Sequence, residues 1–270
     1  MASDLLLPRI EDPVRALYIY AAAAAMSAHA GQAPPHYVGS ALTTAVVDYV
    51  VSPGDTFETI AHSIGSDPLI IARRNTRWVH SPLKVGMKLT IDARVIVPAG
   101  VEHGLVINVP QRRLFFMTGD GVARNLPIAI GQPGWPMPVG PFQILHKESN
   151  PTWIGLSLPT GIDGTSASPT VRGFTTDGCI RLGADDLKAF FDAVSVGDRG
   201  EIVYEPALLW TDGVRQFAEV HPDRYRWSGD ALSILEAAAD YLNVRSRIDW
   251  RRAEEVARRR DGVAIDVTLR

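Results

Sequence analysis

From Val101 to about Pro206 the chain is a succession of short apolar runs with glycine and proline between them, the pattern of strands joined by tight turns. Gly104-Leu105-Val106-Ile107-Asn108-Val109, Arg113-Leu114-Phe115-Phe116-Met117 and Leu126-Pro127-Ile128-Ala129-Ile130-Gly131 read as successive strands, and Gly140-Pro141 precedes another, Phe142-Gln143-Ile144-Leu145. One helix interrupts them: Leu187, Phe190, Phe191 and Val194 fall at i, i+3, i+4 and i+7 and give one buried face. This region is expected to be mainly β with α+β parts, built as a β-sandwich with a packed helix. At 270 residues and 46% hydrophobic composition, the chain can bury a core as one large domain or two smaller ones.

The flanks read differently. In residues 48–92, Tyr49-Val50-Val51 is strand-like, Ser52-Pro53-Gly54-Asp55 makes a turn with a polar cap at Asp55, and Phe57, Ile60, Ala61 and Ile64 recur at helical spacing up to Gly65. Asp67 or Pro68 opens a second short helix before Asn75, and Leu83 to Ile91 supplies a turn and a strand, so a small βααβ module is expected. Residues 207–270 are expected to form a helical C-terminal extension: Leu232, Leu235, Ala239 and Leu242 mark one amphipathic helix, and Asp249 caps a second carrying Trp250, Ala253, Val256 and Ala257. The tail from Val263 to Leu269 alternates like a strand, and Arg251, Arg252 and Arg258 to Arg260 read as a solvated helix face. At the other end, the apolar run from Ala16 to Met26, followed by Ala28-His29-Ala30, reads as a secretory signal over residues 1–30, too short to span a membrane; the alternative is an N-terminal helix of the mature protein. Export to the periplasm or cell wall is expected, with no membrane span after signal removal.

Charge and cysteine content narrow the chemistry. The 27 basic and 30 acidic residues nearly cancel, so no global field draws the chain to nucleic acid or anionic lipid. A single cysteine excludes an internal disulfide framework and any multi-cysteine metal site; no cofactor and no metal are expected. Cys179 is by residue type alone a small buried hydrophobe. Its setting argues otherwise: in Asp177-Gly178-Cys179-Ile180-Arg181-Leu182 the thiol follows a glycine and precedes an arginine by two residues, an arrangement that exposes sulfur and offers it a cation.

Two stretches resemble known families. Tyr49-Val50-Val51, Pro53-Gly54-Asp55-Thr56, Ile60-Ala61, Asn75 and Leu83-Lys84-Val85-Gly86-Met87-Lys88-Leu89 resemble a LysM domain, which implies binding to the N-acetylglucosamine-containing glycan strands of peptidoglycan or chitin. Thr175-Thr176-Asp177-Gly178-Cys179-Ile180-Arg181-Leu182 resembles the active-site signature of the L,D-transpeptidase (YkuD) catalytic domain. The resemblance spans residues 101–206 and includes Ala129-Ile130-Gly131, Met137-Pro138-Val139-Gly140-Pro141-Phe142-Gln143-Ile144 and Asn150-Pro151-Thr152-Trp153. It implies a role in cell-wall biogenesis and cell shape: a cysteine thiolate attacks a stem tetrapeptide after its diamino acid, releases D-alanine and passes the acyl group to an amine. Carried over, Cys179 is the nucleophile, Arg181 supports the loop or the substrate, Gly178 and Cys179 offer N–H groups to the oxyanion, and Thr176 positions the loop.

The departures matter as much. The family's histidine, in an Ile-His-Gly-Thr segment, corresponds to Asp163 in Ile162-Asp163-Gly164-Thr165, and a second histidine position holds Asp177. A thiol of pKa about 8.5 facing a carboxylic acid of about 3.9 leaves a gap of ~4.6 units, or ~6 kcal/mol against proton transfer. Two aspartates beside the sulfur would also raise its pKa. His146 is a replacement base by sequence position, with a surface histidine as the alternative, and the segment between Trp153 and Ile162 looks shorter than in relatives. Three functions remain open: an L,D-transpeptidase impaired by Asp163, a catalytically degenerate peptidoglycan-binding protein that grips stem peptides, and an L,D-carboxypeptidase.

Overall fold

The computed structural model describes residues 19–22, 35–44, 46–63, 68–75, 82–92, 94–100, 104–118, 121–165 and 173–270. Most of the expected signal segment lies outside the described residues, as do Ile64, Gly65, Asp67 and Val101. Within that segment, Ile19–Ala22 forms β1, which pairs antiparallel with β2 (Gly39–Thr44). No helix of the described residues is long and apolar enough to cross a membrane.

The next unit has the βααβ order read from the sequence: β3 (Val46–Val50), α1 (Phe57–Ser63), α2 (Pro68–Arg74) and β4 (Lys88–Asp92), with β3 and β4 antiparallel and Tyr49 opposite Leu89. Val51, Ile60, Ala61, Ile71, Leu89 and Ile91 fill its core. Asn75 fixes α2 to β4: its side-chain amide donates to the carbonyls of Ile71 and Thr90 and accepts from the Thr90 amide at 3.0 Å. The cap expected at Asp55 falls one residue later. Thr56 Oγ1 accepts from the Thr59 amide, while Asp55 closes the preceding turn by accepting from the Ser52 amide and the Tyr49 hydroxyl.

After the module, β5 (Val95–Pro98) runs antiparallel to β2, Leu42 facing Ile96, so the module is carried on a pair of neighbouring strands. There follow β6 (Gly104–Asn108), β7 (Arg113–Thr118), β8 (Gly121–Pro127), β9 (Ala129–Gly131), β10 (Gly140–Ser149), β11 (Thr152–Leu156), β12 (Gly161–Thr165), β13 (Gly173–Thr176), β14 (Ile180–Gly183), α3 (Ala184–Ala193) and β15 (Arg199–Val203). The ten strands β6 to β15 form one mixed sheet in the order β13-β9-β14-β12-β11-β10-β15-β6-β7-β8, curled like half a barrel. Instead of the two facing sheets of the expected sandwich, a single array bends at β10. That long strand pairs with β15 through its first half and with β11 through its second, with a register shift between Ile144 and His146. The core enclosed by the curl includes Ile107, Ile130, Ile144, Ile162 and Ile180, and α3 covers it with Leu187 and Phe190.

The C-terminal segment begins with a hairpin that the sequence reading, two helices and a strand-like tail, did not include. β16 (Ala207–Thr211) and β17 (Gln216–Val220) pair antiparallel before α4 (Ala231–Tyr241) and α5 (Trp250–Arg259), and β18 (Ile265–Asp266) closes the sheet along β17. Every residue of β16 and β17 is buried, so neither strand shows the alternation by which a half-exposed strand is recognised. Asp249 caps α5 by accepting from the Arg251 and Arg252 amides. Leu42 and Ile96 pack against Leu208, Trp210 and Phe217, which ties the extension to the strands carrying the N-terminal module.

Candidate active site

Cys179 lies in the bend between β13 and β14, half-buried. Gly178 before it has φ +92°, a region a side chain would strain. Two hydroxyls brace the bend. Thr176, buried, donates to the Cys179 carbonyl at 2.5 Å, and Thr160 donates to the Gly178 carbonyl at 2.7 Å. Thr160 comes from the four-residue connection 157–160 between β11 and β12, the segment that looked short in the sequence. Among the described residues the amides of Gly178 and Cys179 have no acceptor.

β12 and β14 are parallel neighbours, and their register sets Asp163 beside Arg181. The guanidinium grips the carboxylate with both arms, Nε to Oδ1 at 3.0 Å and Nη2 to Oδ2 at 2.8 Å. Both of Asp163's oxygens are therefore engaged by the Arg181 guanidinium. With Arg181 39% and Asp163 23% exposed, the pair contributes on the order of 1 kcal/mol to stability; its larger effect is on the sulfur. Burial pushes the Cys179 thiol above its ordinary pKa, the Asp163 and Asp177 charges push the same way, and Arg181 and the Gly161 amide oppose them. Asp177 is exposed and accepts from Gln132 Nε2 at 3.0 Å.

His146 is not brought to the thiol. Pairing sets His146 opposite Gly155 and Gly155 opposite Gly161, so the three form one row across the sheet leading towards Cys179. The imidazole lies over Gly155 and the Trp153 indole over Gly161, each filling space a Cβ would need. His146 thus stays beyond the tryptophan and faces Glu148 at 3.7 Å. On the other side of Asp163 a groove of about 700 Å³ runs between Trp153, Lys188, Phe191 and Asp192. Among the described residues no three His, Cys, Asp or Glu side chains gather as metal ligands.

Thr160 and Gln132 were not singled out from the sequence. Gln132 directly follows the Ala129-Ile130-Gly131 strand, and that adjacency was the available signal; Thr160 had none, because it reaches the bend only through the β11–β12 turn.

Residues 102–203 match the L,D-transpeptidase catalytic domain family (YkuD), and residues 49–92 match the LysM domain family. The chain is similar to the probable L,D-transpeptidase ErfK/SrfK of Escherichia coli (strain K12), 28% identical over 275 residues that cover 86% of this chain and 87% of that protein. It is also similar to the probable L,D-transpeptidase YbiS of the same organism, 30% identical over 175 residues, 51% of this chain and 57% of that protein. Among solved structures, the NMR structure of the catalytic domain from the E. faecium L,D-transpeptidase aligns at 19% identity with a TM-score of 0.36, covering 38% of this chain and 98% of that one.

Proposed function

The chain carries a YkuD-type L,D-transpeptidase catalytic domain behind a LysM domain, and we propose that it is an exported peptidoglycan L,D-transpeptidase that uses Cys179 as nucleophile and turns over slowly because Asp163 stands where the family's histidine is expected. In this reading the LysM domain holds a glycan strand, and a stem tetrapeptide is presented to the bend that bears Cys179. Cys179 Sγ attacks the carbonyl of the third residue; the S–C bond forms, the peptide C–N bond breaks, and D-alanine leaves with the proton the thiol gives up. An acceptor amine then attacks the thioester carbonyl, the S–C bond breaks, and a proton returns to sulfur. The Gly178 and Cys179 amides receive the oxyanion of both steps, Thr176 holds the bend, and Asp177 with Gln132 steadies it from the rim.

The observation that carries the slow-turnover reading is the two-armed Asp163–Arg181 pair beside a thiol whose pKa is raised. Few thiolates are present at neutral pH, and the carboxylate that replaces imidazole is already occupied. The same observation supports a second reading, a peptidoglycan-binding protein without turnover. Incubation with disaccharide tetrapeptide followed by intact-mass analysis separates the two. A slow acyl adduct on Cys179, faster in Asp163→His, is expected. No adduct in the native protein together with adduct in Asp163→His would establish the binding protein. Crosslinked dimers as product indicate transfer; trimmed tripeptide indicates an L,D-carboxypeptidase.

A further inference from the structure

We propose that Tyr225, in the C-terminal extension and outside the matched catalytic residues, is a positioning residue that holds the bend bearing Cys179, so that the extension completes the site. The Tyr225 hydroxyl donates to the Gly131 carbonyl at 2.5 Å and accepts from the Met137 amide at 3.2 Å. Gly131 ends β9 and Met137 lies within the β9–β10 loop, three residues before β10, so one buried oxygen pins the loop at two points. Inside the loop the Trp135 amide donates to the Gln132 carbonyl at 2.8 Å. The loop in turn is the wall of the nucleophile bend. The Gln132 amide donates to the Thr176 carbonyl at 2.9 Å, its side chain reaches Asp177, and the space a Gly131 Cβ would need lies against the Trp135 carbonyl and 3.2 Å from Gly178 Cα.

Tyr225 is itself held by groups from both the ten-stranded sheet region and the extension. Its amide donates to the Tyr204 hydroxyl at 2.8 Å, which donates on to Asp223 at 2.6 Å, and Asp223 also accepts from the Trp227 and Ser228 amides. The ring stacks on Tyr204, meets Phe174 of β13 edge-on at 5.6 Å and lies 4.9 Å from Trp227. A path of hydrogen bonds thus runs from Asp223 through Tyr204 and Tyr225 to the β9–β10 loop and on to Thr176 and Asp177. Two hydrogen bonds at one buried hydroxyl suffice to change the opening of that loop about tenfold. Loop opening acts on the sulfur in two ways: it relieves the burial that keeps the thiol protonated, and it displaces the amides of Gly178 and Cys179 from the carbonyl they would serve.

The test is Tyr225→Phe in the full chain, which keeps the ring and deletes both bonds. Two rates are followed: alkylation of Cys179 by iodoacetamide across pH, and acyl-adduct formation with disaccharide tetrapeptide. Alkylation about tenfold faster with a lower pH midpoint, and acylation about tenfold slower, are expected; a residue that only stabilised the fold would not move the two in opposite directions. Leu235→Val, a core change in α4 that leaves the hydroxyl bonds and the rings around Tyr225 in place, serves as the control and should match the native protein in both rates. Unchanged alkylation in Tyr225→Phe, or an equal change in Leu235→Val, would overturn the proposal. If the native protein forms no acyl adduct while alkylation responds as stated, the reading of function fails and the positioning role stands. Should Tyr225→Phe not fold, Tyr204→Phe, which removes the acceptor of the Tyr225 amide, is expected to accelerate alkylation, and no acceleration would count against the role.

Discussion

At Cys179 opposing influences meet: burial and two aspartates favour the thiol, while one arginine and one amide favour the thiolate. Asp163 acts twice, through its own charge and by neutralising Arg181. Replacing it with asparagine removes the negative charge and leaves the guanidinium facing the sulfur, and both changes lower the thiol pKa. The pH midpoint of Cys179 alkylation in Asp163→Asn should therefore fall below that of the native protein, and an unchanged midpoint would show that the pair does not govern the sulfur. Thr176→Val, which deletes a buried hydroxyl bonded to the Cys179 carbonyl, should cost about 1 kcal/mol in urea unfolding. The cysteine bend was legible in the sequence because it is local: glycine, cysteine and arginine lie within four residues. The Asp163–Arg181 fork was not, since it joins residues 18 apart through the parallel register of β12 and β14.

Among the elements, the βααβ module and the α3 helix could be read from periodicity because each hides one face and exposes another. The β16–β17 hairpin could not. Ala207-Leu208-Leu209-Trp210-Thr211 is covered on both faces, so its apolar run carries no period, and the helical composition of the following residues dominated the expectation. The sandwich expectation missed the curl for a related reason: the strand read from the sequence stops at Leu145, whereas β10 runs on to Ser149 as one strand serving both halves of the sheet. Within the N-terminal module, Asn75 is the residue on which α2 and β4 depend together. Asn75→Ala removes its three hydrogen bonds and should destabilise the module by about 2–3 kcal/mol. Amide exchange should rise across residues 49–92 and stay unchanged in the ten-stranded sheet; exchange rising throughout would mean that the two units unfold together.

For the whole molecule, one buried node joins the parts. Glu219, 0% exposed, accepts from the Ile96 amide at 2.6 Å, from Gln111 Nε2 at 2.9 Å, and faces His221 Nε2 at 2.6 Å. It thus links β5, the β6–β7 turn and the extension. Glu219→Ala leaves buried polar groups without their acceptor and should cost about 3 kcal/mol or more in urea unfolding. Glu205, at the junction between sheet and extension, is pushed up to about 7 by burial, against the pull of His36. The fold favours its protonated form, so its contribution to stability is greatest below the unfolded-state pKa of about 4.3. That contribution falls as pH rises towards 7, because the unfolded chain releases the proton first; the loss is on the order of 3 kcal/mol. Glu205→Gln should flatten the urea midpoint across that window. The proposed slow turnover depends on the charge state of one sulfur in the intact protein, and the alkylation rate of native Cys179 against pH measures it directly. The account predicts a midpoint above the ordinary thiol value of about 8.5; a midpoint below about 7, the mark of a thiolate already activated, would contradict it.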